Sequence, residues 1–575
     1  MQLDISRIPF SRFGSYFAVS IERDTNRLIL RDLHGGDEAP SSIFVLELMK
    51  DGQAAAYDLD VTETRLRIIH RHNQSEYAEL CISDEDIIHC RLVGVSLKLT
   101  AVKTRYDSLM PYGPKQWEYH LYSKEIKLMF TLLQGHACIQ APWKMVGNDS
   151  IELIMNPDGD QDEGCVFVIE SYKTVWRKKE YEDYEQARER VERHYEQWLR
   201  QMQAVPERYE PSRRLAAYIT WSCVVHPEGQ LKDYAMYMSK NWMFNIWSWD
   251  NCFNAMMLSD HDPQLALAQL DIFMAHQDES GIYADFINDK FLSFNCCKPP
   301  IHAWAFARMR ERNAWFNERE IVARMYDSLA RATNYWLDHR RSVASRLPVY
   351  NHGNDSGWDN ASIFHDGIPV EAPDLAAHLI RQLDILSSMA AELQREDEAK
   401  AWTDKADELY GLLMERLYRG GRFVARYTPE DRIIAHQDSL ILYMPLIIGY
   451  RLPSEVTAAL VNGLAERFEA RYGLCTESYH SPLYRDNGYW LGPIWAPVTY
   501  LFIDALRHNG YNEFASRLAD KFMDLTLVGD MAENFDPFSG QGLVDPAFTW
   551  TSSVFLMLAR ESIQPPEEHH EKIFR

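Results

Sequence analysis

Short apolar runs of strand length fill the first 175 residues, with turn-forming clusters between them. Runs rich in Val, Ile, Leu, Phe and Tyr lie at 42–48, 65–70, 95–102, 117–132 and 165–172, and they are broken by clusters such as 35–41 and 156–164. Several short strands at this spacing are typical of two antiparallel sheets packed face to face. We therefore predict an N-terminal antiparallel β-sandwich domain over residues 1–175.

From about residue 176 the apolar positions recur at helical intervals. The charged segment 178–200, with Tyr and Trp at such intervals, predicts a helical linker over 176–206. Farther on, one helix is marked by Leu375, Leu379, Leu383, Leu386 and Leu393, and the next by Trp402, Ala406, Leu409, Leu413 and Leu417. Helices of this kind fill 207–575 without a fixed repeat, which favours a closed barrel over a solenoid. The expected fold is mainly α, with an (α/α)6-barrel catalytic domain over 207–575.

Composition and charge exclude several classes of function. The chain has 575 residues, with 60 Lys and Arg against 84 Asp and Glu, which gives a formal net charge of −24. This balance argues against nucleic acid or an anionic membrane as the main partner, because both are bound by basic surfaces. Nine unpatterned cysteines favour a reducing compartment, and the first residues lack an apolar signal-peptide core. We expect a cytoplasmic protein.

Four segments dense in polar and aromatic residues lie between the predicted helices, at 241–251, 354–360, 489–495 and 533–540. Indole faces can stack on the C–H face of a sugar ring while carboxylates accept hydrogen bonds from its hydroxyls. Taken locally, 241–251 is equally well an aromatic plug with a capping Asp, and 533–540 an ordinary surface turn. Local sequence favours a plain turn at 354–360 and a packing role for Trp495.

Other kinds of catalytic site are not recognisable in the sequence. There is no G-x-S-x-G elbow, no P-loop, no complete G-x-G-x-x-G and no H-E-x-x-H or paired C-x-x-C. We therefore expect neither a cofactor nor a metal. Glycosidic hydrolysis is compatible with carboxylates and indoles alone, because it needs one carboxylic acid to protonate the leaving oxygen and one carboxylate to activate water.

The four segments occur in an order that resembles a known group of enzymes. They read W-S-W-D at 247–250, D-S-G-W-D-N at 355–360, G-Y-W-L-G-P-I-W at 488–495 and E-N-F-D-P-x-S-G at 533–540. Together they resemble the α/α-barrel clan of glycoside hydrolase families 63 and 37, which holds processing α-glucosidases, mannosylglycerate and glucosylglycerate hydrolases and trehalases. The stretch K-P-P-I-H-A-W at 298–304 is similar to a segment of bacterial family 63 members.

The resemblance implies an inverting hydrolase of α-glycosidic bonds, with α-glucosidic bonds of a small saccharide or glycosylated small molecule as the first expectation. It implies that Asp359, which closes G-W-D, is the general acid and that Glu533, which opens E-N-F, is the general base. The small carbohydrate substrate is expected to bind to Trp247, Trp249, Asp250, Asn251, Lys298, His302, Trp358 and Trp490. Leu491 stands where many clan members have Arg, which leaves the sugar specificity open.

Two other classes of protein stay open at this point. An α/α barrel can also carry a sugar epimerase or lyase, which would rely on His or Tyr for proton transfer, or a non-catalytic carbohydrate-binding cleft. Glu477 is the alternative carboxylate if Glu533 is structural. Asp355 is the alternative acid, although its position before Ser-Gly favours a turn-forming role.

Overall fold

The computed structural model describes residues 1–158, 164–343 and 345–563. Contacts divide the chain into two compact units with interleaved segments. Unit 1 comprises 1–202, 217–245 and 288–291, and unit 2 comprises 203–216, 246–287 and the described residues from 292 onward. The domain boundaries at 175 and 206 stay predictions.

Unit 1 contains two eight-stranded antiparallel sheets. Its strands up to residue 172 are β1 (Phe10–Ser11), β2 (Phe17–Ile21), β3 (Leu28–Asp32), β4 (Ser42–Lys50), β5 (Gln53–Ala54), β6 (Tyr57–Val61), β7 (Leu66–His70), β8 (Tyr77–Asp84), β9 (Ile87–Val93), β10 (Ser96–Ala101), β11 (Ser108–Gly113), β12 (Gln116–Leu121), β13 (Ile126–Gln134), β14 (His136–Gln140), β15 (Trp143–Lys144), β16 (Gly147–Asn148), β17 (Glu152–Asn156) and β18 (Cys165–Tyr172). One sheet has the order β1-β2-β3-β4-β10-β17-β14, with β5 paired to β4, and the other has the order β11-β12-β13-β18-β9-β8-β7-β6. The predicted β-sandwich is confirmed.

Residues 117–132 form two strands rather than one run. Strands β12 and β13 pair antiparallel around a tight turn in which Glu125 has φ +58°. An apolar run of this length looks continuous because both strands are buried, and the turn contains no Gly or Pro to mark it.

The described residues contain twelve α-helices. They are α1 (Tyr184–Gln201), α2 (Glu210–Ser222), α3 (Asp250–Leu258), α4 (Pro263–Ala275), α5 (His302–Arg312), α6 (Arg319–His339), α7 (Pro373–Glu392), α8 (Glu396–Leu417), α9 (Ser454–Arg467), α10 (Ala496–His508), α11 (Asn512–Gly529) and α12 (Thr549–Ile563). Helix α1 begins later than its charged segment does, because the side chain of Asp183 caps it by accepting a hydrogen bond from the Glu185 amide.

Six helical segments of unit 2 form a closed inner ring. Helix α3 packs on α5, α5 on α7, α7 on the 3₁₀ segment Leu440–Ile448, that segment on α10, α10 on α12, and α12 again on α3. The helices α4, α6, α8, α9 and α11 pack on the outside of this ring. Every residue of α3 is buried, as expected for an inner helix, whereas α8 buries one stripe. The predicted (α/α)6 barrel is confirmed.

Short strands connect the helices and hold the intervening loops. They are β19 (Val224–Val225), β20 (Ala235–Met236), β21 (Ile246–Trp247), β22 (Phe286–Ile287), β23 (Leu292–Ser293), β24 (Val370–Glu371), β25 (Tyr418–Arg419), β26 (Arg422–Phe423), β27 (Arg426–Tyr427), β28 (Arg432–Ile433), β29 (Ile494–Trp495), β30 (Asn534–Phe535) and β31 (Gly542–Leu543). Strand β30 pairs with both β29 and β31, which joins the loop before α10 to the loop before α12.

Candidate active site

The predicted site residues of unit 2 lie at or before the N-termini of inner helices. Asp250 is the first residue of α3 and His302 the first of α5, while Asp359, Trp490 and Glu533 precede α7, α10 and α12. An outer helix returns the chain between successive inner helices, so the inner helices run in one direction. Their N-terminal loops therefore meet at one rim of the barrel.

A buried ammonium group lies between several carboxyl groups. Lys298 Nζ is 3.3 Å from Oδ1 of Asp285 and donates a 2.9 Å hydrogen bond to the carbonyl of Asn354. Burial alone would lower the pKa of Lys298, but the charges of Asp285, Asp359 and Asp250 outweigh it and raise that pKa. The lysine is therefore protonated and stabilises negative charge at this rim.

Asp250 and Asp359, two of the three aspartates around Lys298, are harder to ionise than usual. Burial raises the pKa of Asp250 to about 7; Lys298 opposes the shift, and Asp285 and Asp359 add to it. Burial also raises the pKa of Asp359, against the charges of Lys298 and His352. Asp359 is half-buried and so keeps access to solvent, whereas Asp250 is buried.

Hydrogen bonds hold Glu533 at its backbone and at one of its two carboxylate oxygens. Its backbone amide donates a 2.7 Å hydrogen bond to the Asp545 carbonyl, and the Trp550 indole donates one of 3.1 Å to the Glu533 carbonyl. The hydroxyl of Tyr489 donates a 3.1 Å hydrogen bond to Oε1, while Oε2 has no partner among the described residues. Burial, followed by the charge of Asp545, raises the pKa of Glu533 to about 8.

The tryptophans of the site pack mainly on one another. Trp490 stacks on Trp495 with centroids 3.9 Å apart and planes at 7°, and the Trp358 ring is 4.9 Å from that of Trp490. Trp249, Trp358 and Trp490 are at most 3% exposed, so their faces are largely used in packing. Trp247 is half-buried, with its ring 5.7 Å from that of Phe286, and it is more exposed than these three tryptophans.

Two predicted binding residues have other partners. Asn251 is fully buried, and its amide donates to the carbonyl of Gln269 on α4 at 3.0 Å, which ties α3 to its outer helix. Burial lowers the pKa of His302 to about 4, against an opposing contribution from the Ser248 backbone, so its imidazole is neutral. Together with Lys298, His302 lines a small cavity. Sugar binding by either residue stays a prediction.

The two alternative carboxylates are held by local hydrogen bonds. Asp355 accepts from the backbone amides of Cys297 at 3.0 Å and Asn351 at 2.8 Å, and it pairs with Arg340. Glu477 accepts from the hydroxyls of Ser362 at 2.8 Å and Ser481 at 2.6 Å. Both side chains are buried, and these contacts favour structural roles.

Sequence reasoning missed three residues that shape this site. Asp285 pairs with Lys298, Tyr489 binds Glu533, and Asp545 raises the pKa of Glu533. Tyr489 lies inside the segment 489–495, which the sequence analysis had singled out, so its place in that segment could have identified it. Asp285 and Asp545 belong to no recognised motif.

Part of the 241–251 segment lies in unit 1. Residues 241–245 belong to that unit, and there the Trp242 ring lies under the guanidinium of Arg23, 3.9 Å from its centroid. Residues 246–251 belong to unit 2 and contribute Trp247, Trp249 and Asp250 to the barrel rim. The aromatic segment 241–251 is therefore divided between the two units.

The described part of the chain offers neither a cluster of metal ligands nor a membrane-spanning helix. Within it, no three or more His, Cys, Asp or Glu side chains are arranged so that they could hold a metal ion. None of its helices has the length and apolar character needed to cross a bilayer.

Comparisons with known proteins point to one family. The family model described as the mannosylglycerate hydrolase MGH1-like glycoside hydrolase domain matches residues 243–551. Glucosylglycerate hydrolase of Mycolicibacterium hassiacum is 23% identical over 411 residues, which is 54% of this chain and 91% of that protein. Mannosylglycerate hydrolase of Thermus thermophilus is 31% identical over 120 residues, or 20% of this chain and 28% of that protein.

Two solved structures share the fold. A family 63 mannosylglycerate hydrolase of Thermus thermophilus in complex with glucose superposes with a TM-score of 0.53 and 20% identity, over 60% of this chain and 99% of that one. A bacterial glucoamylase complexed with acarbose superposes with a TM-score of 0.63 and 9% identity, over 100% of this chain and 97% of that one.

Proposed function

Because the chain belongs to the mannosylglycerate hydrolase MGH1-like glycoside hydrolase domain family, we propose that it hydrolyses α-glycosidic bonds of small glycosides with inversion at the anomeric carbon. The observation that carries this proposal is the meeting of Asp250, Asp359 and Glu533 at one barrel rim. Electrostatic coupling supports their closeness, since the charge of Asp250 raises the pKa of Glu533 and that of Asp359 raises the pKa of Asp250.

Asp359 and Glu533 have distinct parts in the proposed reaction. Asp359 donates its proton to the glycosidic oxygen, and the bond between this oxygen and the anomeric carbon breaks. Water attacks the opposite face of that carbon while Glu533 accepts a proton from the water. The exposed side of Asp359 suits a group that must reach a leaving oxygen, and the unpaired Oε2 of Glu533 suits a group that must hold water.

The protonation of both groups in the free protein bears on this assignment. Burial raises the pKa of Glu533 to about 8 and also raises that of Asp359, although Lys298 favours the ionised form of Asp359. The productive form, with Asp359 protonated and Glu533 ionised, is therefore one of several protonation states of the free protein. Substrate binding would favour the productive form, because a leaving oxygen near Asp359 accepts a hydrogen bond only from the protonated acid.

The proposed substrate is a small α-glucoside or a related glycosylated small molecule. Asp250 and the accessible ring of Trp247 would bind the hydroxyls and the C–H face of the sugar. Two sequence relatives are hydrolases of glucosylglycerate and mannosylglycerate, which places such glycosides among the first substrates to test. Lys298 is already surrounded by carboxyl groups, so the rim beside it favours the neutral sugar ring of such a glycoside over its carboxylate.

A proton NMR time course tests the proposal. The purified protein is incubated with a panel of α-linked glucose and mannose disaccharides and glycosylglycerates, and the anomeric signals are followed. We expect one substrate to be consumed, with the β-anomer of the released sugar appearing before mutarotation. An initial α-anomer would disprove inversion, and no cleavage across the panel would count against this substrate class.

A further inference from the structure

Asn360, directly after the proposed acid, is bonded to the chain on both sides of Tyr489. Its Nδ2 donates a 3.0 Å hydrogen bond to the Gly488 carbonyl, and its Oδ1 accepts a 2.9 Å hydrogen bond from the Trp490 amide. Both ends of the side-chain amide are thus used on one short loop, 128 residues away in sequence. A local sequence pattern gives no sign of this connection.

The loop that Asn360 holds is conformationally demanding. Tyr489 has φ +62°, in the left-handed region, which is unfavourable for a residue other than glycine. Its carbonyl accepts a 3.0 Å hydrogen bond from the Trp495 indole, and its ring meets that of Trp495 edge-on at 4.8 Å. Such a conformation persists only where surrounding contacts determine it.

The conformation of Tyr489 fixes the carboxylate of Glu533. The tyrosine hydroxyl occupies Oε1, so Oε2 remains as the oxygen that can bind water. A hydroxyl that donates to a carboxylate also favours its ionised form. Loss of this bond would free the carboxylate to rotate and would remove part of the stabilisation of its charge.

We infer that Asn360 is a positioning residue which, by holding the 488–490 loop, keeps Tyr489 on Oε1 of Glu533 and assigns Oε2 as the proton-accepting atom. This inference rests on the proposed function for its catalytic meaning. Through the side-chain amide of Asn360, the orientation of Glu533 depends on the loop that carries Asp359. Asn360 itself is exposed and reaches the base only through Tyr489.

Kinetics of four variants test the inference. The variants are Asn360→Ala, Tyr489→Phe, the double variant, and Asn73→Ala as a matched control, in which the lost side chain also bonds to its own loop, in unit 1. We expect each single site variant to lower kcat by about tenfold to a hundredfold, with a smaller change in KM, because the base loses its orientation. The control should keep the wild-type kcat.

Coupling between the two residues is the decisive readout. If Asn360 acts through Tyr489, the double variant loses no more activity than the worse single variant, and the pKa of Glu533, read from the pH dependence of kcat/KM, rises in all three. Multiplicative losses, or a kcat of Asn360→Ala close to that of wild type, would overturn the inference.

Crystal structures separate this inference from the proposed function. In Asn360→Ala we expect Tyr489 to leave the left-handed region and its hydroxyl to move away from Glu533. If the wild type hydrolyses no glycoside, the proposed function fails, yet these structures still decide the positioning role. If the Tyr489 hydroxyl still binds Oε1 of Glu533 in Asn360→Ala, the positioning role of Asn360 is contradicted.

Discussion

Gly357 lies so close to Trp249 that no side chain fits between them. A Cβ built on Gly357 would stand 2.6 Å from Cζ2 of the indole, and the glycine has φ +71°. The turn that carries Asp359 therefore packs its backbone directly on the tryptophan that precedes Asp250. Two loops of the proposed site meet through a contact that only glycine permits.

We predict that Gly357→Ala disturbs both stability and activity. The left-handed backbone alone should cost about 1–3 kcal/mol, and the clash would displace Trp249. Thermal unfolding and kcat/KM measure the two effects. Gly411→Ala is the control, because this helix glycine has open space around its Cβ position and the change should stabilise by about 0.5–1 kcal/mol. A stable, active Gly357→Ala would contradict the packing argument.

The roles of the two proposed catalytic carboxyl groups can be told apart with the leaving group. Asp359→Asn and Glu533→Gln should each lower turnover of a natural glycoside by about 10²–10⁴-fold. An α-glycosyl fluoride needs no proton on its leaving group, so Asp359→Asn should retain much of its fluoride activity while Glu533→Gln should not. The opposite pattern would exchange the assigned roles.

The pH dependence of kcat/KM should report the raised pKa of Glu533. Activity needs Glu533 ionised and Asp359 protonated, so it should fall at acidic pH, where Glu533 is protonated, and at alkaline pH, where Asp359 is ionised. Because burial raises the pKa of Glu533 to about 8, one limb of this profile should titrate near pH 8. Steady-state rates from acidic to alkaline pH measure this. A profile with no titration near pH 8 would contradict the raised pKa of Glu533.

A buried ionic cluster is expected to stabilise the inner ring of the barrel. Asp504 on α10 accepts hydrogen bonds from Trp304 on α5 at 2.9 Å and from Arg381 on α7 at 2.7 Å. Although burial opposes it, the charges of His508, Arg308 and Arg381 hold the pKa of Asp504 well below its usual range. Asp504→Asn should therefore destabilise by about 3–5 kcal/mol, because buried arginines lose their counter-charge.

Chemical denaturation of wild type and Asp504→Asn measures that loss. The low pKa of the folded state means that the contribution is complete above the ordinary aspartate pKa of about 4 and shrinks as the pH falls below it. Asp404→Asn is the surface control, since its exposed pair with Lys400 on α8 should be worth about 0.5 kcal/mol or less. Equal losses in both variants would contradict the assignment.

The periodicity of the sequence was sufficient to place two helices of the barrel. The leucines from Leu375 to Leu386 lie on α7, and the stripe from Trp402 to Leu417 is the buried face of α8, which ends before Gly420. These predictions hold because burial of one helix face imposes a local spacing on the chain. The same pattern did not separate the two strands at 117–132, because two buried strands joined by a turn without Gly or Pro look like one apolar strand.

By itself, the sequence determined the two-part architecture, the ordered motifs and the short segments that carry Asp250, Asp359 and Glu533, since each depends on residues close together in the chain. Only the tertiary structure decided which groups face each other. It paired Lys298 with Asp285, set Tyr489 on Glu533 and joined Asn360 to the loop at 488–490. The physical reason is that closing the ring of inner helices brings distant loops to one rim, and contacts made by that closure leave no periodic trace in the sequence.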